Sequence, residues 1–538
     1  MIFKITVICS LLNIVHSVSR HPILIIVSYD AFRYNFFETK LVPNMERLKK
    51  VGTYADYLIN VFPTKTFPNH HSIATGLYTE THGIVGNSYF DTTSRTIKRL
   101  GSEMFSYNKD IIPIWKWNED QGNDRYSASM MWPGAIFPYQ GKNITHIQGF
   151  DPNMDWFQRA DMIISWLMNP DKPANLVMFY VEEPDTHGHA YGPNAPEIKE
   201  LLQKLDNLTA YLEDQLDKYN LAERTNVIHM SDHGLVGVTP PYFINMTQYM
   251  KYGTYDMAGA SPCLQIYPKE GHEQEIYDAL KAGSLKNGHF KVYQKKNYPK
   301  QWHYKKCTRS PPILVMADVG YALDDYIKGA PEYAEKYNFT LTNSSEFGVH
   351  GYDYNVSDMH PFFMARGPKI KKQHKVAPFH TVDLFNLFTQ ILEIPPLPNN
   401  GSMGNIVDIL NDKQGRYSIG SILMVTDVIN NFEEVADVLG HDILKIAHFV
   451  SRGPHRSRLS KPSLLGILYL IKEEINTLVR VGGVLVALLF ISVAATIALI
   501  IIKRQQTITT AAALNKRFPQ TFHHNIVEAQ HLLEPEDA

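Results

Sequence analysis

Four short runs of apolar and β-branched residues punctuate the first 400 positions: Ile23–Ser28, Ala174–Val181, Asn226–Met230 and Phe362–Ala365. Their length predicts strands. Between them, Phe157–Trp166, Ile198–Asp217 and His272–Lys281 place apolar residues at helical spacing. Such alternation predicts an α/β domain with a mostly parallel sheet and helices on both faces. In open sheets of this class, ligands bind beyond the carboxyl ends of the strands. Asp30, Asp185 and Asp232 each fall just past the carboxyl end of a predicted strand. No internal repeat or low-complexity tract interrupts the pattern.

Two further apolar segments lie nearer the ends. Residues 1–19 read as a signal peptide: Lys4 is the weak positive region, Ile5 to Val15 the apolar stretch, and Ser17 or Ser19 the small residue for cleavage. Val481 to Ile502 is a run of 22 uncharged residues. As a helix it spans about 33 Å, matching a bilayer core of roughly 30 Å. The expected division is a signal peptide (1–19), a catalytic ectodomain (20–405), a membrane-proximal stalk (406–480), a transmembrane helix (481–502) and a cytosolic tail (503–538).

Arg and Lys flank both ends of the apolar run, so charge alone does not orient it. Signal cleavage does, placing the new N-terminus outside. Seven Asn-x-Ser/Thr sequons, at Asn143, Asn207, Asn245, Asn338, Asn343, Asn355 and Asn400, all lie between the two apolar segments. The expectation is a single-pass type I membrane glycoprotein whose catalytic domain faces the lumen or cell exterior. In the tail, Glu528 to Leu533 resembles an acidic dileucine sorting signal.

Composition narrows the partners. A net charge of −2 gives no sign of a nucleic-acid surface. Beyond Cys9 in the signal peptide only Cys263 and Cys307 remain, either as a disulfide or as buried thiols. The ectodomain therefore depends on a large apolar core.

The chemistry-bearing residues cluster in short polar segments. They are Asp30, Thr66 in Thr64-Lys-Thr-Phe-Pro-Asn, Asp185 and His189 in Glu183-Pro-Asp-Thr-His-Gly-His, Asp232 with His233, and His350 before Gly351. Carboxylates, imidazoles and one hydroxyl suit two Zn²⁺ ions, which take oxygen and nitrogen ligands in fours. Each motif alone is weak; the combination carries the argument. Thr66 is read as a nucleophile activated by a metal, the alternative being a helix cap. Lys65 reads as a surface lysine, or else as an electrostatic helper.

The run Phe62-Pro-Thr-Lys-Thr-Phe-Pro-Asn-His-His-Ser-Ile-Ala-Thr-Gly-Leu-Tyr, followed by His82-Gly-Ile-Val-Gly-Asn87, resembles the ectonucleotide pyrophosphatase/phosphodiesterase family. So do Trp132-Pro-Gly, Glu182-Glu-Pro-Asp-Thr-His-Gly-His, Ser231-Asp-His-Gly and His350-Gly-Tyr-Asp. That family belongs to the alkaline phosphatase superfamily, so the resemblance implies an alkaline-phosphatase-like sheet sandwiched by helices. It also implies one zinc on Asp185, His189 and His350, and a second on Asp30, Asp232 and His233 facing Thr66. Asn87 matches a phosphate-contacting asparagine. Phe150 falls where relatives stack an aromatic on the nucleotide base, although it also reads as a core residue.

The implied reaction opens a phosphodiester or phosphoanhydride of an extracellular nucleotide through a nucleotidyl-threonine, releasing a nucleoside 5′-monophosphate. Dinucleoside polyphosphates, NAD and ATP are the expected substrates. A choline-phosphodiester lipid hydrolase and a non-catalytic surface receptor are the alternatives. Two departures stand out: Tyr29-Asp-Ala-Phe replaces the common Phe-Asp-Gly-Phe, and His187 occupies a position where a small residue is common and is expected to add bulk near the pocket.

Overall fold

The computed structural model describes residues 18–411. Its centre is Ile23–Tyr29, whose seven residues are all buried, as expected of a parallel strand covered on both sides. This strand pairs in parallel with Leu176–Val181 on one side and Thr225–Met230 on the other. Ser127–Met130 and His146–Gln148 extend the sheet in parallel beyond Leu176–Val181. On the opposite flank, Phe363–Arg366 runs antiparallel to both Thr225–Met230 and Thr53–Ala55. His374–Val376 then completes eight strands. Only Phe363–Arg366 opposes the common direction.

Successive residues of the central strand point to opposite faces, and their partners identify the two helical layers. Ser28 Oγ lies 3.0 Å from His70 Nε2 on the helix Thr66–Thr75. Tyr29 Oη lies 2.7 Å from Thr209 Oγ1 on the long helix Pro196–Lys218. The helix Leu384–Leu392 packs with the Thr66 layer, and Trp156–Leu167 with the long helix. One apolar core runs through the sheet and both layers. Ile406 and Ile409 are fully buried in it.

Every strand and helix predicted between residues 23 and 366 is present. His272–Lys281 corresponds to a longer helix, Glu273–Asn287. It covers a second sheet of four antiparallel strands, Tyr255–Ala260, Cys263–Pro268, Ile313–Ala317 and Phe290–Gln294. This sheet has its own apolar cluster around Leu264, Ile266, Leu280 and Val315. Cys263 and Cys307 are both buried free thiols. No helix among the described residues is long and apolar enough to cross a membrane, and the expected span at 481–502 lies outside them. Most of the expected signal peptide lies outside them too.

Candidate active site

The three central parallel strands end on the same edge of the sheet, and each delivers a carboxylate within a few residues. Asp30 follows Tyr29 and Asp232 follows the strand ending at Met230. Asp185 opens the short helix Asp185–Tyr191. On that helix Asp185 and His189, four residues apart, share a face. His189 Nε2 lies 3.3 Å from Asp185 Oδ2. His187 lies about 200° round the helix from Asp185. Its Nδ1 meets Glu183 Oε1 at 2.5 Å, and its ring packs near Tyr191 and Tyr337. The expected extra bulk near the pocket is therefore turned away from the Asp185–His189 face.

Thr66 is the first residue of its helix, and Lys65 is the capping position. Asn69 braces the approach: its Oδ1 accepts from Val61 N at 2.8 Å and its Nδ2 donates to Lys65 O at 2.9 Å. Asn87 Oδ1 accepts from Phe67 N at 3.0 Å, which fixes that amide beside Thr66. Thr66 Oγ1 lies 3.3 Å from His233 Nε2. Lys65 is not the surface lysine expected from sequence. It is buried, and its Nζ donates to Ser261 O at 2.9 Å.

His350 arrives from across the molecule and is held through Thr64. His350 Nδ1 donates to Thr64 O at 2.9 Å, while Thr64 Oγ1 donates to Tyr352 O and accepts from Gly351 N. Gly351 has φ +115°, and a Cβ there would meet Lys65 Cε at 2.7 Å, so glycine is required. The His350 and His233 rings stack at 3.8 Å.

Seven sequence-selected residues thus meet in one buried cluster. Two groups have ligand atoms within 4.8 Å of one another: Asp185, His189 and His350, and Asp30, Asp185 and His233. Asp185 belongs to both. Asp232 also adjoins the second group, its Oδ2 lying 3.2 Å from His233 Nε2.

The cluster fits cations. Asp30 Oδ1, Asp185 Oδ1, Asp232 Oδ2 and His350 Nε2 are buried without a hydrogen-bond partner. The other oxygen of Asp30 is tied, accepting from Tyr180 Oη at 2.6 Å. That of Asp232 accepts from Ala31 N and His233 N. His70 Nδ1 stands 3.3 Å from Asp232 Oδ2, but its hydrogen goes to Thr66 O. His233 Nδ1 donates to Gly234 O and His189 Nδ1 to Gly348 O, with Tyr326 Oη 2.8 Å from the same nitrogen. All three imidazoles therefore present Nε2 to the cluster, the arrangement by which backbone carbonyls orient metal-binding histidines.

Electrostatics agree. Burial holds the pKa of His233 below its usual value, and burial with the neighbouring His233 and Lys65 does so more strongly for His350. Metal ligation needs such neutral rings. Burial and the nearby Asp232 and Asp185 push Asp30 well up. Burial opposes ionisation of Asp185 and Asp232 too, but adjacent histidines outweigh it and both pKa values fall. The crowding at Asp30 is of the kind that a bound cation relieves.

Phe150 is half-buried, 6.5 Å ring to ring from Tyr180, the residue that donates to Asp30. Tyr180, Thr64 and Tyr326 were not anticipated from sequence, because their roles arise only from tertiary contacts.

Residues 24–353 match the type I phosphodiesterase / nucleotide pyrophosphatase family. The chain belongs to this family. It is an ectonucleotide pyrophosphatase/phosphodiesterase-type hydrolase of the alkaline phosphatase superfamily. Human ectonucleotide pyrophosphatase/phosphodiesterase family member 5 is 32% identical over 410 residues, covering 74% of this chain and 81% of the relative. Human bis(5′-adenosyl)-triphosphatase ENPP4 is 34% identical over 421 residues, covering 76% and 88%. The solved structure of murine family member 5, an inactive Thr-to-Ala variant in complex with AMP, superposes with a TM-score of 0.65 at 32% identity. It covers 73% of this phosphodiesterase and all of that structure.

Proposed function

We propose that this phosphodiesterase cleaves dinucleoside polyphosphates, NAD or ATP to nucleoside 5′-monophosphates, with Thr66 as nucleophile. The observation that carries the reading is the convergence of the unpartnered buried oxygens of Asp30, Asp185 and Asp232 and the Nε2 of His350 on a cluster that includes the Thr66 hydroxyl. Relatives supply the substrate class: one is named a bis(5′-adenosyl)-triphosphatase and another was solved with AMP. The inactivity of the latter's Thr-to-Ala variant matches the residue type at 66.

Two Zn²⁺ ions suit the site, one on Asp185, His189 and His350 and one on Asp30, Asp232 and His233 with Thr66. When bound, such ions lower the pKa of hydroxyl and water ligands and stabilise charge on phosphoryl oxygens.

The chain's own residues do the rest. Thr66 Oγ1 attacks phosphorus, forming a phosphothreonyl ester as the bond to the leaving oxygen breaks. Its place at a helix N-terminus favours the phosphoryl charge. Asn87, held by Phe67 N, offers its amide to a phosphoryl oxygen. Phe150 provides a flat face for the base. Water then forms the new phosphorus–oxygen bond, the threonyl ester breaks, and the hydroxyl regains its proton.

The chain is proposed to be anchored by 481–502 after removal of the signal peptide, with the site outside the cell. Turnover by the purified, zinc-loaded protein tests the reading on diadenosine triphosphate, NAD, ATP and a choline phosphodiester. Release of a nucleoside 5′-monophosphate is expected; choline phosphate alone would move the enzyme to lipid substrates.

A further inference from the structure

On the helix Trp156–Leu167, one cation is enclosed completely. Arg159 has no exposed surface, and its guanidinium faces two loops at once. Toward one loop it meets both carboxylate oxygens of Glu182, at 2.5 and 3.0 Å. Toward the other it donates to Asp151 O at 3.2 Å and Met154 O at 3.0 Å. The Glu182 loop continues through Glu183-Pro184 into Asp185. The loop at 149–155 carries Phe150 and ends at Asp155, which caps the helix bearing Arg159.

A planar guanidinium donating to a carboxylate through two parallel bonds fixes orientation as well as distance. Trp156 Nε1, 3.4 Å from Glu182 Oε1, closes the cluster. Among the described residues, no hydrogen bond or ion pair joins it to the cluster around Thr66. We infer that Arg159, held by Glu182, is a positioning residue that sets the Phe150 face at a fixed distance from the Asp185 loop. Substrates that present a base to that face therefore depend on it. This rests on the reading of Phe150 as the base platform. A loop that merely needed closing would be served by a lysine, whose point charge lacks the fork.

The test uses the full chain as wild type, Arg159→Lys, Glu182→Gln, Phe150→Ala and the Arg159→Lys/Phe150→Ala double variant. Kinetic constants are measured on diadenosine triphosphate and on bis(4-nitrophenyl) phosphate, which carries no base. Arg159→Lys is expected to raise KM for the dinucleotide about tenfold, with kcat on the nitrophenyl diester within about twofold of wild type. Glu182→Gln should show the same split, and adding Phe150→Ala to Arg159→Lys should add little. Equal loss on both substrates, or losses that add, would overturn the positioning role.

Hydrogen exchange over 149–155, read by mass spectrometry, is independent of substrate. It should quicken in Arg159→Lys, and unchanged exchange would also overturn the proposal. A wild type that cleaves the nitrophenyl diester and no nucleotide would defeat the nucleotide reading. Faster loop exchange in Arg159→Lys would then still support the pinning of the loop.

Discussion

At the residue scale, the division of labour within each side chain is the most telling feature. One oxygen of Asp30 and one of Asp232 are tied by protein donors, and the other faces the cluster. Replacing Thr66 with Ala removes the hydroxyl but none of these carboxylates or imidazoles. Turnover should fall by about 10³-fold or more, with zinc content near two per chain by elemental analysis. Retained activity would remove Thr66 as nucleophile. His350→Ala opens one group while leaving its Asp185 and His189, so bound zinc should drop toward one per chain. Unchanged stoichiometry would count against His350 as a ligand. The residues that meet in the cluster were legible in sequence because carboxylates, imidazoles and a hydroxyl are the types that coordination chemistry restricts. Tyr180 and Thr64 were not, since their partners Asp30 and Tyr352 are distant in the chain; Arg159 was not, since arginines are rarely buried and nothing in the sequence marks this one. Lys65 misled for a related reason: lysines are rarely buried, and only the packing against Gly351 reveals this one.

At the element scale, the helix carrying the nucleophile brings a buried liability. His71, on that helix, packs between Phe105 and Tyr139, and burial lowers its pKa to about 3. The folded state thus resists protonation that the unfolded chain accepts near its ordinary value of about 6.5. The stability present above that value is lost as pH falls toward about 3, at up to about 1.4 kcal/mol per pH unit. His71→Phe should flatten this acid limb in chemical denaturation at several pH values; an unchanged slope would show that other groups set it. A second element contact is tighter still. A Cβ on Gly348 would come 2.4 Å from Gly188 O, so the strand Phe347–Val349 could not lie against the helix bearing His189. Gly348→Ala is expected to cost about 1–3 kcal/mol, measured as a lower denaturation midpoint. The central strands and their edge were readable from continuous apolar runs. The four-stranded antiparallel sheet was not read, although Ile313–Ala317 is a continuous apolar run, because Tyr255–Ala260 mixes polar, glycine and apolar residues without a clear period.

At the scale of the molecule, the described body and the apolar run at 481–502 lead to a simple expectation. A chain cut before Val481 should be secreted in active form and shift in gel mobility on removal of N-linked glycans. Retention of the cut chain on membranes would argue for another anchor.

The site's residues are spread from Asp30 to His350, with the two central ligand groups sharing Asp185. A ribosome must therefore release nearly the whole catalytic body before the group with His350 is complete, whereas Asp30, Asp185 and His233 are all present by residue 233. Fragments ending between His233 and His350 keep Asp30, Asp185 and His233 yet lack the third member of the Asp185, His189 and His350 group. Filling of the His350 group would then serve as a signature of completed synthesis and folding, and chains cut before His350 should be inert rather than partly active.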